Sequence, residues 1–359
     1  MIGNKKVSSI AIVLILLAAV IYSQRAGISL KMLPGLIETS FSNSPLDDFE
    51  DGLHVALCGA GGPMPDPVRS GPCVAVVAGD KLFVVDAGSG SPRNLTSMRY
   101  PTTEIEALFL THFHSDHIDG LGEMALMRWV SGDNQAPLPV HGPEGVSVVV
   151  AGFNQAYNQD AAYRNEHHGD SIALLQSTGM QAVPTPAPAP GESVTVYADS
   201  DLTVEMFAVD HSPVSPAVGY LFRYKDRSAL ISGDTAKSDN LQAFAKDVDL
   251  LVHEALAPNL VGAMRSGTDG AGDAGLTKIL EDILDYHATP REAAEVARDA
   301  SVGHLLYYHI VPPLVLPGSE AAFLEGVDDV FSSYTVGVDG HIVSMPANSD
   351  RIEVSKLRL

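Results

Sequence analysis

The sequence predicts an α/β fold in which two β-sheets pack back to back with helices on the outside. Short β-branched runs bounded by glycine and proline alternate with stretches of helical spacing, and such a series of strands and helices occurs twice along the chain. A hydrophobic content of 45% and a charged content of 18% are typical of a folded domain with a substantial core.

The first segment is an apolar run that indicates export. Lys5 and Lys6 precede VSSIAIVLILLAAVIY, which covers residues 7–22, and Arg25 follows soon after. The run is slightly shorter than the roughly 20 residues of a membrane span, yet long for the core of a signal peptide. Both an uncleaved anchor and a cleaved signal therefore remain open, and the positive charges orient the N-terminus toward the cytoplasm.

This orientation predicts the domain organisation. We expect a signal peptide or membrane anchor at 1–22, a weakly ordered tether at 23–50 and a catalytic domain at 51–359. The catalytic domain would lie in the periplasm or outside the cell, attached to the inner membrane if the segment is uncleaved.

From Leu53 onward the strands and helices can be assigned in order. LHVALCG, CVAVVAG, KLFVVDAG and IEALFL are predicted as strands, followed by the helix LGEMALMRWV and a helical segment over 142–170. The proline-alternating VPTPAPAPGES at 183–193 predicts an exposed loop. The second series has the strands VTVYA, LTVEMFAV, GYLFRY, SALISGD, DLLVHEA and HLLYYHI, with the helices LQAFAKD and TPREAAEVARDA.

The two cysteines, Cys58 and Cys73, flank a loop rich in glycine and proline. In an exported protein they could form a disulfide bond. The sequence does not show whether their Cα atoms come close enough, so the pairing stays open.

The acidic composition argues against a nucleic-acid partner. The chain has 22 basic and 44 acidic residues, which give a formal net charge of −22. A surface this acidic repels phosphate backbones, so we expect no nucleic acid to bind. Simple solubility in salty surroundings would explain the same composition.

The segment THFHSDHIDG, residues 111–120, carries a pattern typical of metal binding. His112 and His114 lie two apart on an extended segment, so their side chains point the same way. After a turn, Asp116 and His117 would face the same space from the other side. Imidazole and carboxylate groups are ligands of zinc, manganese and iron. Two pairs of ligands at two angles can serve two ions.

This H-x-H-x-D-H pattern after an apolar strand resembles the signature of the metallo-β-lactamase superfamily. Further motifs follow in the family's order: VDAG with Asp86, VDHSPVSPAVGY with His211, SGDT with Asp234 and LLYYHIVPP with His309. The likeness covers residues 53–313. It implies a four-layered αβ/βα sandwich with a dinuclear metal site at one edge.

The resemblance also implies which residues hold the metals. Two zinc ions are expected, with manganese or iron as alternatives, and a hydroxide between them would be the nucleophile. Asp86 would support a ligand histidine from behind. The implied ligands are His112, His114 and His211 for the first ion, Asp116, His117 and His309 for the second, and Asp234 for both.

Two further fragments resemble the ribonuclease Z-like group of this superfamily. His253-Glu254-Ala255 and His287-Ala288-Thr289 are similar to its H-E-A-T and H-S-T loops. The resemblance implies that His287 donates a proton to the leaving oxygen and that Glu254 orients it. It also implies a supporting role for His253 and a catalytic role for Asp116.

Ribonuclease Z itself matches less well. Its tRNA-binding arm lies between the histidine and the bridging aspartate, but His211 and Asp234 are only 23 residues apart. Its P-x-K-x-R-N loop is here Pro65–Ser70, without the lysine and the asparagine. The loops GGPMPDPVRSGPC, RWVSG, PLPVHGPEG and YRNEHHGD resemble exported arylsulfatase- and phosphodiesterase-like hydrolases. The expected substrate is a small anionic phosphodiester or sulfate ester.

A polar cluster, Tyr163, Arg164, His167 and His168, lies in the segment predicted to cover the mouth of the site. These side chains are candidate substrate contacts, although a solvated helix face would explain them equally well. A homodimer is compatible with the sequence. The alternative functions are a lactonase or β-lactamase-type acyl hydrolase on the same metals, a tRNA 3′ endonuclease, and a non-catalytic metal-binding protein.

Overall fold

The computed structural model describes residues 3–42, 44–130 and 132–357, and the chain divides into two units, 1–48 and 49–359. The first two residues of the predicted anchor and one residue of the predicted tether lie outside the described residues. The serine of RWVSG and the last two residues of the predicted catalytic domain also lie outside them.

The first unit consists mainly of one long helix, α1, which spans Gly3–Ser42 and is followed by a short 3₁₀ turn. Its stretch Leu14–Thr39 has a mean hydropathy of 1.3 and is long and apolar enough to cross a membrane, as many signal sequences also are. The weak order predicted after residue 22 is therefore wrong as far as residue 42. Pro34 lies inside this helix, where helix formers such as Leu33 and Leu36 flank Pro34 and Gly35.

The second unit alternates strands and helices in the predicted manner, and its described strands and helices have the following bounds. The strands are β1 Gly52–Gly59, β2 Cys73–Ala78, β3 Lys81–Val85, β4 Ile105–Phe109, β5 Leu138–Gly142, β6 Met180–Pro184, β7 Ser193–Ala198, β8 Leu202–Ala208, β9 Val218–Tyr224, β10 Arg227–Ile231, β11 Leu250–Leu256, β12 His304–Val311, β13 Tyr334–Val336, β14 His341–Pro346 and β15 Glu353–Lys356. The helices are α2 Ser91–Ser97, α3 Ser115–Ile118, α4 Leu121–Trp129, α5 Val146–His168, α6 Asp239–Phe244, α7 Pro258–Ala271, α8 Ala274–Asp282, α9 Pro290–Asp299 and α10 Ser319–Phe323.

In the described part of this unit the strands form two mixed sheets. One has the order β15-β14-β1-β2-β3-β4-β5-β6 and the other β13-β12-β11-β10-β9-β8-β7. The main core lies between them, where Phe83 and Phe109 of the first sheet meet Tyr220 and Phe222 of the second. Burial of such aromatic side chains is the main force that holds two sheets face to face.

Helices cover the outer faces of both sheets. On the second sheet, Leu251 and Leu305 pack against the apolar face of α9, which includes Ala293 and Val296. Helix α9 begins at a capping box in which Thr289 and its neighbours satisfy the first free N–H groups. On the first sheet, α4 and α5 pack near β5 and β6. The predicted four-layered αβ/βα sandwich is confirmed.

Parallel pairing brings the predicted motifs to one edge. Strands β3, β4 and β5 run parallel to one another in the first sheet, and β10, β11 and β12 do so in the second. The carboxyl ends of parallel strands lie at the same edge. The residues that follow β3, β4 and β10, and those at the ends of β11 and β12, therefore gather at one place.

Several features of this unit were not assigned from the sequence, among them a disulfide bond and a helical hairpin. Cys58 and Cys73 form a disulfide bond with a Cα–Cα distance of 5.0 Å, which closes the loop 59–72. Helices α7 and α8 form a hairpin between β11 and the His287 loop. The helices predicted from LGEMALMRWV, 142–170, LQAFAKD and TPREAAEVARDA are present as α4, α5, α6 and α9.

Candidate metal centre

The edge between the two sheets carries a cluster of histidine and aspartate side chains. Potential ligand atoms of His112, His114, His211 and Asp234 all lie within 4.8 Å of one another. His112 Nε2 is 3.0 Å from His114 Nδ1, and His211 Nε2 is 3.4 Å from that same His114 atom. Several imidazole nitrogens directed at one point form a site that suits a metal ion.

A second group adjoins the first. Potential ligand atoms of Asp116, His117 and His309 also lie within 4.8 Å of one another. His309 Nε2 is 3.2 Å from Asp116 Oδ2 and 3.3 Å from Asp234 Oδ2. His117 Nε2 is 3.3 Å from Asp234 Oδ1. The structure thus places Asp234 between the two groups of imidazoles.

Asp86, directly after β3, orients His117. Its Oδ2 accepts hydrogen bonds from His117 Nδ1 at 2.8 Å and from Thr111 Oγ1 at 2.8 Å, and its Oδ1 accepts from the Thr111 backbone N–H at 2.9 Å. Because Asp86 holds Nδ1 of His117, Nε2 is the ring nitrogen directed at the cluster. Carboxylate–histidine pairs of this kind fix the tautomer of metal-binding histidines.

His309 reaches the cluster because β12 bulges at this residue. Glu254 of β11 pairs with Tyr308, but the next residue, Ala255, pairs with Ile310. The skipped His309 has a positive φ of 43°, which turns its side chain toward the cluster. Gly62 lies against its ring, and a Cβ at residue 62 would be 3.2 Å from His309 Cε1.

The electrostatics of the cluster favour a bound cation. Burial, with the neighbouring His117, lowers the pKa of His112, and burial also lowers the pKa of His211. Neutral imidazole is the form that binds metal. Burial favours the neutral acid at Asp234, but His309 and His117 lower the pKa of this carboxyl well below its usual range. Burial opposes a charge on His117, but Asp234 and Asp86 raise the pKa of this imidazole well above its usual value. A metal ion bound here would replace that proton, and the imidazoles with the ionised carboxylate would form its donor set.

His287 and Glu254 form a pair beside these groups. His287 Nδ1 is 3.0 Å from Glu254 Oε1, and this oxygen also accepts from the backbone N–H groups of Ala288 and Thr235. The imidazole of His287 lies 5.6 Å from that of His309, between ring centroids. Burial opposes a charge on His287, but the Glu254 carboxylate raises its pKa to about 9.

The structure does not bring all predicted site residues to this cluster. The ring of His253 contacts the carbonyl of its own neighbour at 2.7 Å, and side chains alternate along β11, so it faces away from the side of Glu254. The supporting role predicted for His253 therefore finds no contact with the cluster in the described residues.

The polar residues of α5 also lie away from the cluster. Helix α5 approaches the site at its start, where Gly145 contacts the ring of Phe113. At 1.5 Å per residue, Tyr163 lies about 27 Å further along the helix. Tyr163 is 62% exposed, and Arg164 is paired with Asp160. The contact of Tyr163, Arg164, His167 and His168 with substrate stays a prediction, and these side chains lie at the end of α5 remote from the cluster.

Hydrogen bonds to the backbone, which no sequence motif indicates, also position the site. His211 Nδ1 donates to the carbonyl oxygen of Tyr286 at 2.9 Å, which directs Nε2 at the cluster. In the loop 59–72, Arg69 Nε donates to the carbonyl of Gly337 at 2.8 Å, and Asp339 accepts from the N–H groups of Ala60 and Ser70. The tail of the second unit thus fixes the loop that contacts His309.

Comparisons with known proteins agree with this geometry. The family described as "Beta-lactamase superfamily domain" matches residues 82–310. Ribonuclease Z of Mycolicibacterium gilvum is 34% identical over 273 residues, which cover 75% of this chain and 87% of that protein. Among solved structures, the metallo-β-lactamase fold protein YhfI of Bacillus subtilis aligns with a TM-score of 0.57 at 18% identity, over 82% of this chain and 99% of that one. The short form of human tRNase Z aligns with a TM-score of 0.57 at 20% identity, over the same shares.

The chain therefore belongs to the metallo-β-lactamase superfamily, in its ribonuclease Z-like branch. It is a metal-dependent hydrolase, and its histidine and aspartate clusters are suited to divalent metal ions.

The relatives overturn one prediction. The net charge of −22 led us to expect no nucleic-acid partner, and the loop resemblances a small ester substrate, but relatives named ribonuclease Z act on RNA. The charge argument failed because it summed the whole chain. At physiological ionic strength, charges more than a Debye length of about 8 Å from the substrate are largely screened, so the local charge at the site matters more than the total.

Proposed function

We propose that the second unit hydrolyses phosphodiester bonds in RNA with two divalent metal ions held at the cluster. Zinc is the metal that we expect first. The observation that carries this proposal is the position of Asp234. Its carboxylate lies 3.3 Å from both His117 and His309, and 3.8 and 3.9 Å from His112 and His211. One carboxylate shared between two sets of imidazoles suits two ions rather than one.

The residues present fit such a metal pair. Among the described residues, the buried atoms His117 Nε2 and Asp234 Oδ1 face each other at 3.3 Å and have no other hydrogen-bond partner, which would be costly without a ligand. Manganese or iron would suit the same nitrogen and oxygen donors. When bound, the ions would supply Lewis acidity, lower the pKa of water and neutralise charge that develops on the phosphate.

His287 supplies the acid in this proposal. Its Nδ1 is held by Glu254, so its Nε2 is the atom left to donate a proton to the departing oxygen. Two backbone N–H groups fix the Glu254 carboxylate, which in turn holds the imidazole of His287 in place. The acid is therefore positioned before the substrate arrives.

A substrate panel tests the proposed function. Zinc-loaded protein should cleave a labelled tRNA precursor or an unstructured RNA, together with the generic phosphodiester bis-p-nitrophenyl phosphate. Elemental analysis should find two metal equivalents, and Asp234→Asn should lose metal from both sites along with activity. Turnover of p-nitrophenyl sulfate or nitrocefin, with all phosphodiesters left intact by fully loaded protein, would overturn the proposal in favour of a sulfate-ester or acyl hydrolase.

We propose further that the protein is exported and that α1 anchors it. Two observations support this: the apolar stretch Leu14–Thr39 and the Cys58–Cys73 disulfide, a bond that persists mainly in oxidising compartments. Protease added to intact spheroplasts should degrade the full-length protein, which should fractionate with membranes. Complete protection from protease until the cells are lysed would contradict export.

A further inference from the structure

Tyr286 lies at the cluster without a role in the chemistry described so far. Its ring centroid is 4.8 Å from that of His211 and 4.8 Å from that of His287. The side chain is half-buried, and its hydroxyl has no hydrogen-bond partner among the described residues. An aromatic ring with an exposed part therefore lies directly beside the proposed acid and a proposed metal ligand.

The backbone and the side chain of Tyr286 are separable. Its carbonyl oxygen accepts the hydrogen bond from His211 Nδ1, and any residue at this position could provide that group. Orientation of His211 thus does not explain a large aromatic side chain here. Burial does not explain it either, because Tyr286 is only half-buried.

The other aromatic rings beside the predicted ligands are occupied. Tyr308 is fully buried between the sheets. Phe113 packs on the start of α5, where a Cβ at Gly145 would be 2.7 Å from its ring. Phe113 is also partly exposed, but Tyr286 is the partly exposed ring that lies against both His211 and His287.

We infer that Tyr286 is a positioning residue on which an unpaired base next to the scissile phosphodiester stacks. The inference rests on the proposed function, because it requires an RNA substrate. Every base has a flat face, so an aromatic platform holds a nucleotide regardless of its sequence. A base held beside His287 would keep the leaving oxygen within reach of the proton donor.

The test uses the full-length protein loaded with zinc and RNAs in which a single abasic nucleotide is placed at successive positions around the cleavage site. For the wild type, one abasic position should raise KM by roughly tenfold or more, since base–aromatic stacking contributes on that order. Tyr286→Ala should show the higher KM with intact RNA and no further penalty at that position. Tyr286→Phe should behave as the wild type, because it retains the ring.

Two controls accompany these measurements. Metal content must stay unchanged in all variants, and Tyr286→Leu, which keeps apolar volume without a ring, should resemble Tyr286→Ala. If RNA is cleaved but the abasic penalty is the same in wild type and Tyr286→Ala, the platform is overturned and the proposed function stands. If fully loaded wild type cleaves no RNA, both fall.

Discussion

Asp86 and His309 share an uncommon backbone conformation. Both have a positive φ, 57° and 43° respectively, a region that costs a non-glycine residue about 1–2 kcal/mol. The conformation turns Asp86 toward His117 and places His309 next to Asp116 and Asp234. Such strain persists only where the surrounding structure imposes it, and it is concentrated at functional sites.

The role of His287 is best tested by its removal. His287→Ala should lower kcat by ~100- to 10,000-fold, the usual contribution of general acid catalysis, because no other group would protonate the leaving oxygen. Metal content should not change, since the lost side chain acts on the substrate. Steady-state kinetics and elemental analysis measure both.

A matched control is His168→Ala, an exposed histidine at the far end of α5. It should leave kcat and metal content unaltered. Loss of a metal equivalent from His287→Ala would assign this histidine to the ligand set instead, as its proximity to Asp234 and His309 allows.

His304 predicts part of the acid sensitivity of the fold. Burial lowers its pKa from 6.5 to about 4, while its two ring nitrogens contact Ser333 and Thr335. Below pH 6.5 the unfolded chain takes up a proton that the folded chain does not accept until about pH 4. Its contribution to stability is therefore complete above pH 6.5 and is lost as the pH falls to about 4.

His304→Gln should remove this component while its amide retains hydrogen bonds. Both proteins should lose unfolding free energy between pH 7 and pH 4. In denaturant titrations the loss of the variant should be smaller than that of the wild type by on the order of 2–3 kcal/mol. An identical loss in both proteins would mean that His304 is protonated in the fold without cost.

At the scale of elements, the loop 59–72 forms one wall of the site. The disulfide closes it at its base. Arg69 of the loop donates to the carbonyl of Gly337, and Asp339 accepts from the backbone of Ser70. Gly62 brings it against His309, where space is too short for a side chain. The loop thereby helps to hold His309 in its bulged conformation.

Removal of the disulfide should weaken this wall. A disulfide that closes a loop of about 15 residues reduces the conformational entropy of the unfolded chain, which stabilises the fold by about 3 kcal/mol. The double variant Cys58→Ser with Cys73→Ser should therefore have a free energy of unfolding lower by about that much. Denaturant titration of oxidised wild type, reduced wild type and the double variant would measure it. Equal stability of the oxidised and reduced wild type would show that side-chain contacts alone hold the loop.

At the scale of the whole molecule, the proposed metal pair would join the two sheets. Asp116 and His117 follow β4 of the first sheet, whereas Asp234 and His309 belong to the second. A cation that binds the folded state and not the unfolded one stabilises it by about 2.7 kcal/mol at a concentration 100 times Kd. Metal binding should therefore stabilise the sandwich as a whole.

Chelation provides the corresponding test. Treatment with EDTA should lower Tm, and added zinc should restore it. Asp234→Asn should start at the low Tm and respond little to either treatment. If wild type and Asp234→Asn shift equally with zinc, the stabilising ions bind elsewhere.

The chemistry of the site was largely readable from the sequence. Imidazoles and carboxylates crowded into THFHSDH after an apolar strand have few other uses, and the order of strands and helices predicted two sheets packed back to back with helices outside. These features depend on residues close together in the sequence, so their spacing along the chain is enough to predict them.

Tertiary structure decided what depends on contacts between distant residues. The β12 bulge that aims His309, the Cys58–Cys73 bond and the Tyr286 carbonyl behind His211 arise from long-range pairing and backbone conformation, which side-chain patterns do not record. For the same reason the sequence did not show how far the polar end of α5 lies from the cluster: helical spacing shows which residues share a face, but not where the end of the helix points. The sequence by itself determined which groups are available for catalysis, and the packing of the two sheets determined which of them meet.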